Sequence, residues 1–319
     1  MFDVIALGEL LIDFAPLSKD EEGYPSLAAH PGGAPGNFLA ALSTYGASTA
    51  MIGKVGDDTF GHLLTGTLKA HHIDTQGVRV DASVFTTLAF VSLDATGNRD
   101  FSFARKPGAD TCLTPEEIPE SLFEGARVFH FGTLSLTHEP ARSATEQALK
   151  LAHKHRLLVS LDPNLRKPLW PDEQAARDAM EWSLRQAHIV KISDEEVDFL
   201  WHLSPEEGAQ RLIEEYGVSL CYVTLGPKGA YARNASHAVC VPAPEGITPV
   251  DTTGAGDIFG GSAMSQLLQT GKAPEDLTEE ELSRIVRFAS TAASLSTLTH
   301  GGISSVPAKE AVLACLSQD

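Results

Sequence analysis

The sequence predicts an α/β fold: a doubly wound, mostly parallel sheet flanked by helices, with a small β-sheet lid. Three observations predict it. Short apolar runs recur along the chain, separated by helical patterns. The runs are continuous rather than alternating, as in strands buried on both faces. Two stretches break this order with turn residues and strand-like patterning.

Taken in order, residues 4–7 are the first apolar run, and residues 13–30 are irregular, with Pro16, Gly23 and Pro25. Helical spacing follows over 37–45, ending before Gly46, and over 59–71. Residues 85–93 and 99–105 are strand-like and joined by Thr96-Gly97-Asn98, a turn signal, so they read as a hairpin. Within it Phe101 and Phe103 alternate with polar residues, which puts both rings on one face. Apolar runs at 128–131, 157–161, 189–192 and 220–225 continue the main sheet. Helical patterns lie at 140–155, 195–202, 205–216 (ending before Gly217) and 279–298. The reading is one domain over residues 1–319. Its lid comes from about 13–31 and 83–106 and lies over the C-terminal edge of the sheet, where open α/β sheets bind ligands.

Composition bounds the function. A chain of 319 residues, 43% hydrophobic, can bury a large core. Lys and Arg number 24 against 42 Asp and Glu, a formal charge of −18. That balance argues against a nucleic-acid or anionic-membrane partner. It also means that an anionic substrate needs local help from helix N-termini, an Arg or Lys, or a metal. Cys112, Cys221, Cys240 and Cys315 form no C-x-x-C pair and read as reduced thiols of a cytoplasmic protein. The N-terminal residues lack the basic region of a signal peptide, and no apolar run reaches transmembrane length.

The richest stretch is Asp251-Thr-Thr-Gly-Ala-Gly-Asp-Ile-Phe-Gly-Gly-Ser-Ala-Met264. Thr252 and Thr253 are good N-cap residues, and Gly254 and Gly256 let the backbone turn sharply and approach a ligand. Ile258, Phe259, Ala263, Leu267 and Leu268 then fall at helical spacing. The first N–H groups of a helix have no internal partner and sit at its positive end, so an anion belongs there. Asp257, in the same turn, is placed to accept a proton from a hydroxyl. A hydroxyl and a phosphate brought together over one base describe phosphoryl transfer. Taken alone, the stretch also reads as a plain glycine-rich turn.

Residues 251–264 resemble the C-terminal motif of the PfkB, or ribokinase-like, carbohydrate kinases. Gly32-Gly-Ala-Pro-Gly-Asn-Phe-Leu-Ala40, with Ile52-Gly-Lys-Val-Gly-Asp-Asp-Thr-Phe-Gly61, resembles the N-terminal one. Gly8-Glu-Leu-Leu-Ile-Asp13, Asp162-Pro-Asn-Leu-Arg166 and Val223-Thr-Leu-Gly-Pro-Lys-Gly229 fall in the family's order, so the resemblance runs from about residue 4 to 307. It implies ATP-dependent phosphorylation of a sugar hydroxyl, with Mg²⁺ and in some members K⁺, and a homodimer formed through the lid.

The resemblance also implies roles. Asp257 is the base, and the N–H groups of Gly254, Ala255 and Gly256 form the anion hole. Arg166 meets the moving phosphoryl group, where a guanidinium can bind bidentately; a strand-end salt bridge is the plainer reading. Asp13, Gly33, Asn37, Phe103 and Arg105 face the sugar. Against that, Asp13 can be a surface carboxylate, Asn37 a helix cap and Arg105 a solvated strand end. Lys106-Pro-Gly-Ala-Asp110 is similar to the fructokinase branch, which brings Asp110 toward the sugar. Glu196 orients Mg²⁺ through water, although Ser193 and Glu196 also match a capping box. Ser193 stands where the family commonly has Asn. Ser193, Thr224, Gly226, Gly229 and Gly256 lie against the nucleotide, with 299–305 at the adenine edge. Asp251 and Thr253 hold a monovalent cation. His130, His153 and His155 have no metal-ligand grouping.

The leading reading is a fructokinase, with a kinase for ketodeoxygluconate, ribose or a related sugar as the near alternative. A non-catalytic sugar- or nucleotide-binding regulator on the same fold is the third. No G-x-G-x-x-G follows the first strand and no G-x-x-x-x-G-K-[ST] is present, which sets aside a dinucleotide dehydrogenase and a P-loop kinase.

Overall fold

The computed structural model describes residues 1–93 and 99–317. The chain opens with β1 (Val4–Leu7), β2 (Leu11–Lys19), β3 (Pro25–Gly32), α1 (Ala34–Thr44) and β4 (Thr49–Gly56). Then come α2 (Thr59–Ala70), β5 (Ile73–Asp81), β6 (Thr87–Leu93), β7 (Arg99–Ala104), β8 (Val128–Gly132) and α3 (Ala141–Lys154). The middle of the chain forms β9 (Leu158–Asp162), α4 (Glu173–Leu184), β10 (Ile189–Ser193), α5 (Asp194–Trp201) and α6 (Pro205–Tyr216). It ends with β11 (Leu220–Thr224), β12 (Ala230–Asn234), β13 (Ala238–Val241), α7 (Ala255–Thr270), α8 (Glu279–Ser296) and α9 (Lys309–Leu316).

Nine strands make one sheet in the order β13-β12-β11-β10-β9-β8-β1-β4-β5. It is parallel from β5 to β11 and antiparallel at the β12–β13 edge. Alternate residues of one strand feed two different cores. In β1, Ile5 and Leu7 join one cluster and Val4 and Ala6 the other. In β8, Phe129 and Phe131 oppose Val128 in the same way. Both faces are covered by helices, which is why these strands read as unbroken apolar runs. The chain winds from β1 to β4 and β5 on one side, then returns to β8 and proceeds to β11 on the other. That reversal is a topological switch point, with a crevice at the strands' C-terminal ends.

The second sheet has four strands in the order β3-β2-β6-β7. β6 and β7 are antiparallel partners, and β2 pairs with β6 in parallel and with β3 antiparallel. The joining turn at Thr96-Gly97-Asn98, and the side chain of Phe101, lie outside what is described. Two boundaries differ from the sequence reading. The irregular stretch after β1 is two ordered strands, and Asp13 lies inside β2 rather than opening an irregular segment. Its register opposite His30 is set by pairing with β3, a contact that local sequence does not reveal.

Candidate active site

The turn before α7 carries the central carboxylate. Gly254, at φ +76°, is the N-cap, so Thr252 and Thr253 stand outside the helix instead of capping it. A Cβ on Gly254 would come within 3.0 Å of both Asn37 Nδ2 and Gly302 Cα, so glycine serves the packing as well as the left-handed backbone. The helix is buried on most of its circumference, with Asp257, Ser262 and Ser265 inside along with the apolar residues, rather than on one stripe. It packs between α1 and α8, and residues of all three share apolar clusters.

Asp257 is buried, and its Oδ2 accepts a hydrogen bond from Asn37 Nδ2 at 2.9 Å. Asn37 therefore acts from inside α1 and is not a cap; the N-cap is Gly33. Burial pushes the Asp257 carboxyl up to about 6 and the negative charge of Asp162 adds to the rise, while Lys191, the Asn37 hydrogen bond and Arg166 oppose it. The Ala255 N–H turns back on the Thr252 carbonyl at 3.3 Å. The Gly256 N–H, in the first turn, has no acceptor within the helix and opens on the cleft that Gly256 lines.

That cleft has a volume of about 650 Å³ and runs over the C-terminal ends of β1, β9, β10 and β11. Its walls hold most of the sites read from sequence. Asp13, Gly33, Asn37 and Phe103 come from the small sheet and the start of α1, Thr253, Gly254, Gly256 and Asp257 from the α7 turn. Arg166, Ser193, Glu196, Thr224 and Gly226 come from the loops and strand ends of the other half. Burial pushes Asp13 up to about 7, opposed by Arg166 and reinforced by Asp257 and Asp251. Gly33, at φ +111°, lies where a Cβ would run into the Glu9 carbonyl.

The Glu196 carboxylate does two jobs at once. Its Oε2 accepts the Ser193 N–H at 2.8 Å, completing the capping box of α5, and its Oε1 accepts the Leu165 N–H at 2.7 Å. One acid thus joins α5 to the loop that carries Arg166. Oε2 also accepts the Ser193 hydroxyl at 3.1 Å; a carboxylate has about four lone-pair sites, so the one left, on Oε1, fits a water-mediated Mg²⁺. Among the described residues no three His, Cys, Asp or Glu side chains group as a metal cage. Asp251 is buried; its Oδ1 accepts the Thr253 N–H at 2.9 Å and its Oδ2 the Gly301 N–H at 3.2 Å. It ties the α7 turn to the 299–305 loop, and an oxygen donor at that join fits a monovalent cation.

Three sequence-read residues stand elsewhere. Arg105 is buried behind the cleft instead of facing it. Its Nη2 is 2.7 Å from Asp110 Oδ2, and its guanidinium also donates to Thr137 Oγ1 at 2.8 Å and the Leu134 carbonyl at 3.0 Å. Asp110 is spent on Arg105 and Thr87. Gly229, at φ +104°, is required by a turn, since a Cβ there would strike the Val241 carbonyl; it is not among the cleft's walls.

Two wall residues escaped the sequence reading. Glu9 is buried, its Oε1 accepting the Ala34 N–H at 2.8 Å, and burial pushes it up to about 7. Lys191 is the middle residue of β10, with its Nζ 3.0 Å from Asp162 Oδ2. The sequence signal for Lys191 was a charge inside the apolar run 189–192, and for Glu9 its place in the Gly8–Asp13 block.

A doubly wound sheet with a second small sheet beside its strand ends, and a carboxylate set in an N–H-lined turn, is the architecture of the ribokinase-like kinases. The chain belongs to the pfkB family of carbohydrate kinases, whose family model matches residues 1–309. It is 38% identical over 310 residues to the probable fructokinase-3 of Arabidopsis thaliana, covering 95% of this chain and 88% of that one. The fold is similar to the Vibrio cholerae O395 fructokinase double mutant solved with fructose, ADP and potassium ion. The TM-score is 0.87 at 30% identity, over 99% of this chain and 98% of that one. It is also similar to a putative ribokinase II from E. coli in complex with ATP and Mg²⁺, with a TM-score of 0.88 at 26% identity over 100% of both chains. The protein is a sugar kinase, a phosphotransferase acting on an alcohol group.

Proposed function

We propose that the chain is a fructokinase, converting D-fructose and MgATP to fructose 6-phosphate and ADP, with Asp257 as the general base. The observation that carries the mechanism is the buried Asp257 carboxylate, aimed by Asn37 and set in the turn whose Gly254 and Gly256 line the same cleft. As the sugar oxygen bonds to the γ-phosphorus and the bond to the ADP oxygen breaks, the hydroxyl proton passes to Asp257. A positioned base of this kind contributes about 10²–10⁴-fold. The Gly256 N–H stabilises the equatorial oxygens, the Ala255 N–H being engaged by the Thr252 carbonyl, and Arg166 approaches from the opposite wall. Mg²⁺, when bound, neutralises charge on the donor phosphates, and Glu196 holds its water shell.

Sugar choice is supported by the relatives' activity and by the state of Arg105. An acid sugar needs a cation for its carboxylate, and the Arg105 guanidinium is already engaged with Asp110, Thr137 and Leu134. Asp13 and Glu9 instead offer acceptors to a neutral polyol. The small sheet acts as the lid, and Leu17 and Tyr24, 64% and 69% exposed on its outer part, support pairing of two subunits through it. Sedimentation at micromolar concentration gives a dimer on this reading, and a monomer removes the pairing. A cytoplasmic setting accords with four free thiols. No helix among the described residues is long and apolar enough to cross a membrane.

Coupled ADP release from MgATP is the test, run against fructose, ribose, glucose, tagatose and ketodeoxygluconate. Saturable turnover with fructose alone supports the assignment, and preference for another sugar moves the specificity while leaving the mechanism.

A further inference from the structure

β9 ends at Asp162 alongside the middle of β10 beneath the cleft, and two opposite charges meet there. Lys191 Nζ is 3.0 Å from Asp162 Oδ2, and both side chains are largely buried. A Cβ built on Gly256 would lie 2.9 Å from the same Nζ, so the ammonium abuts the first turn of α7, one residue from Asp257. The pair also walls a small void of about 10 Å³, shared with His130, Ser160 and Tyr222. The void is close to the size of a single water. Tyr222 Oη is buried with no hydrogen-bond partner among the described residues. His130 Nδ1 lies 3.0 Å from Ser160 Oγ, and its ring stacks on Phe38 at 3.7 Å. Replacing a buried ion pair by apolar residues of similar volume is often neutral or stabilising. Core packing therefore gives little reason for charges at this point.

We propose that the Lys191–Asp162 pair is a positioning device that sets the charge state of Asp257, Lys191 favouring its carboxylate and Asp162 limiting how far. The inference deepens the reading of Asp257 as base and rests on it. The charged groups facing Asp257 are Asp162 from the end of β9, Lys191 from β10, Arg166 from the loop after β9 and Asp13 from β2. α1 supplies only the neutral Asn37. Lys191 and Arg166 favour ionisation; Asp162 and Asp13 oppose it. Lys191 is itself held charged against burial by Asp162, Glu196 and Asp257, beside a His130 that burial keeps neutral.

The experiment measures kcat/KM for the sugar against pH in the wild type, Lys191→Met, Asp162→Asn and the double variant. Asp257→Asn and Lys191→Arg serve as references. Lys191→Met moves the acid limb up by about one unit or more, and Asp162→Asn moves it down by a similar amount. The double variant, neutral at both positions, brings the limb back near the wild type, and Lys191→Arg leaves it in place. Opposed shifts that cancel are not what loss of packing produces, since packing loss lowers activity at every pH. The proposal is overturned if both single variants shift the limb in one direction, or neither shifts it, while Asp257→Asn is inactive. Turnover by Asp257→Asn defeats the base assignment instead. In that case a ¹³C-carboxyl NMR titration of Asp257 in the same variants decides the pair's effect, opposite shifts supporting it and a fixed value overturning it.

Discussion

Asn37 Nδ2 lies 2.9 Å from Asp257 Oδ2, a buried hydrogen bond between residues 220 positions apart. α1 carries the amide and α7 the carboxylate, so the packing of two helices aims the base. Asn37→Leu keeps the volume and removes the donor. Loss of a hydrogen bond to a charged group is worth about 1.5–3 kcal/mol. We expect kcat to fall about 10–100-fold and the acid limb of kcat/KM to move to higher pH, since the bond favours the carboxylate. Steady-state kinetics checks both; an unchanged limb with lowered kcat would leave Asn37 a packing residue.

Asp257→Asn removes the proton acceptor while keeping the shape of the turn. kcat drops about 10²–10⁴-fold or more, while nucleotide and sugar affinity by calorimetry stay within a few-fold. Near-normal turnover would remove Asp257 from the chemistry.

The pH dependence has a definite sign. Asp257 is active as the carboxylate and burial holds its pKa at about 6. Activity is then on a plateau above that pH and falls as the pH drops through it, tenfold per unit well below it. A profile flat down to pH 4.5 would contradict the burial of the base.

Glu9 makes a prediction about stability. Its folded pKa of about 7 lies above the ordinary 4.5, so the native state binds the proton more tightly than the unfolded chain. Its contribution is fully present below the unfolded value and is lost as pH rises through about 7. Glu9→Gln keeps an acceptor for the Ala34 N–H and carries no charge to bury. The variant therefore melts higher than the wild type at pH 8, with little difference at pH 4.5. Thermal melts at the two pH values are the check, and equal gaps at both would contradict it.

Gly254→Ala places a side chain at φ +76° and 3.0 Å from Asn37 Nδ2. The left-handed backbone alone costs about 1–2 kcal/mol. We expect a lower melting temperature together with a larger fractional loss in kcat than in stability, because the added methyl presses on the residue that aims the base. Full activity in a well-folded variant would mean that the turn tolerates displacement.

The legible parts were those coded locally. Continuous apolar runs marked β1, β8, β9, β10 and β11, and Gly46 and Gly217 closed the helices before them. β4 was not read as a strand because Lys54 and two glycines interrupt it; tertiary pairing of Lys54 with Glu117 at 2.8 Å makes its burial tolerable. α4, α9 and the β12–β13 edge also went unread. Local spacing alone did not mark them. Arg105 looked like a cation facing a sugar until the fold supplied Asp110 behind it.

By itself the sequence determined the layered α/β plan and the glycine turn with its carboxylate, because periodicity, capping and backbone freedom act within a few residues. The tertiary structure alone decided which polar groups meet. Asn37 reaches Asp257, Glu196 joins α5 to the Arg166 loop and Lys191 pairs with Asp162 only because elements distant in sequence converge at the switch point. There low solvent access turns each charge into a determinant of its neighbours' protonation, which no spacing along the chain encodes.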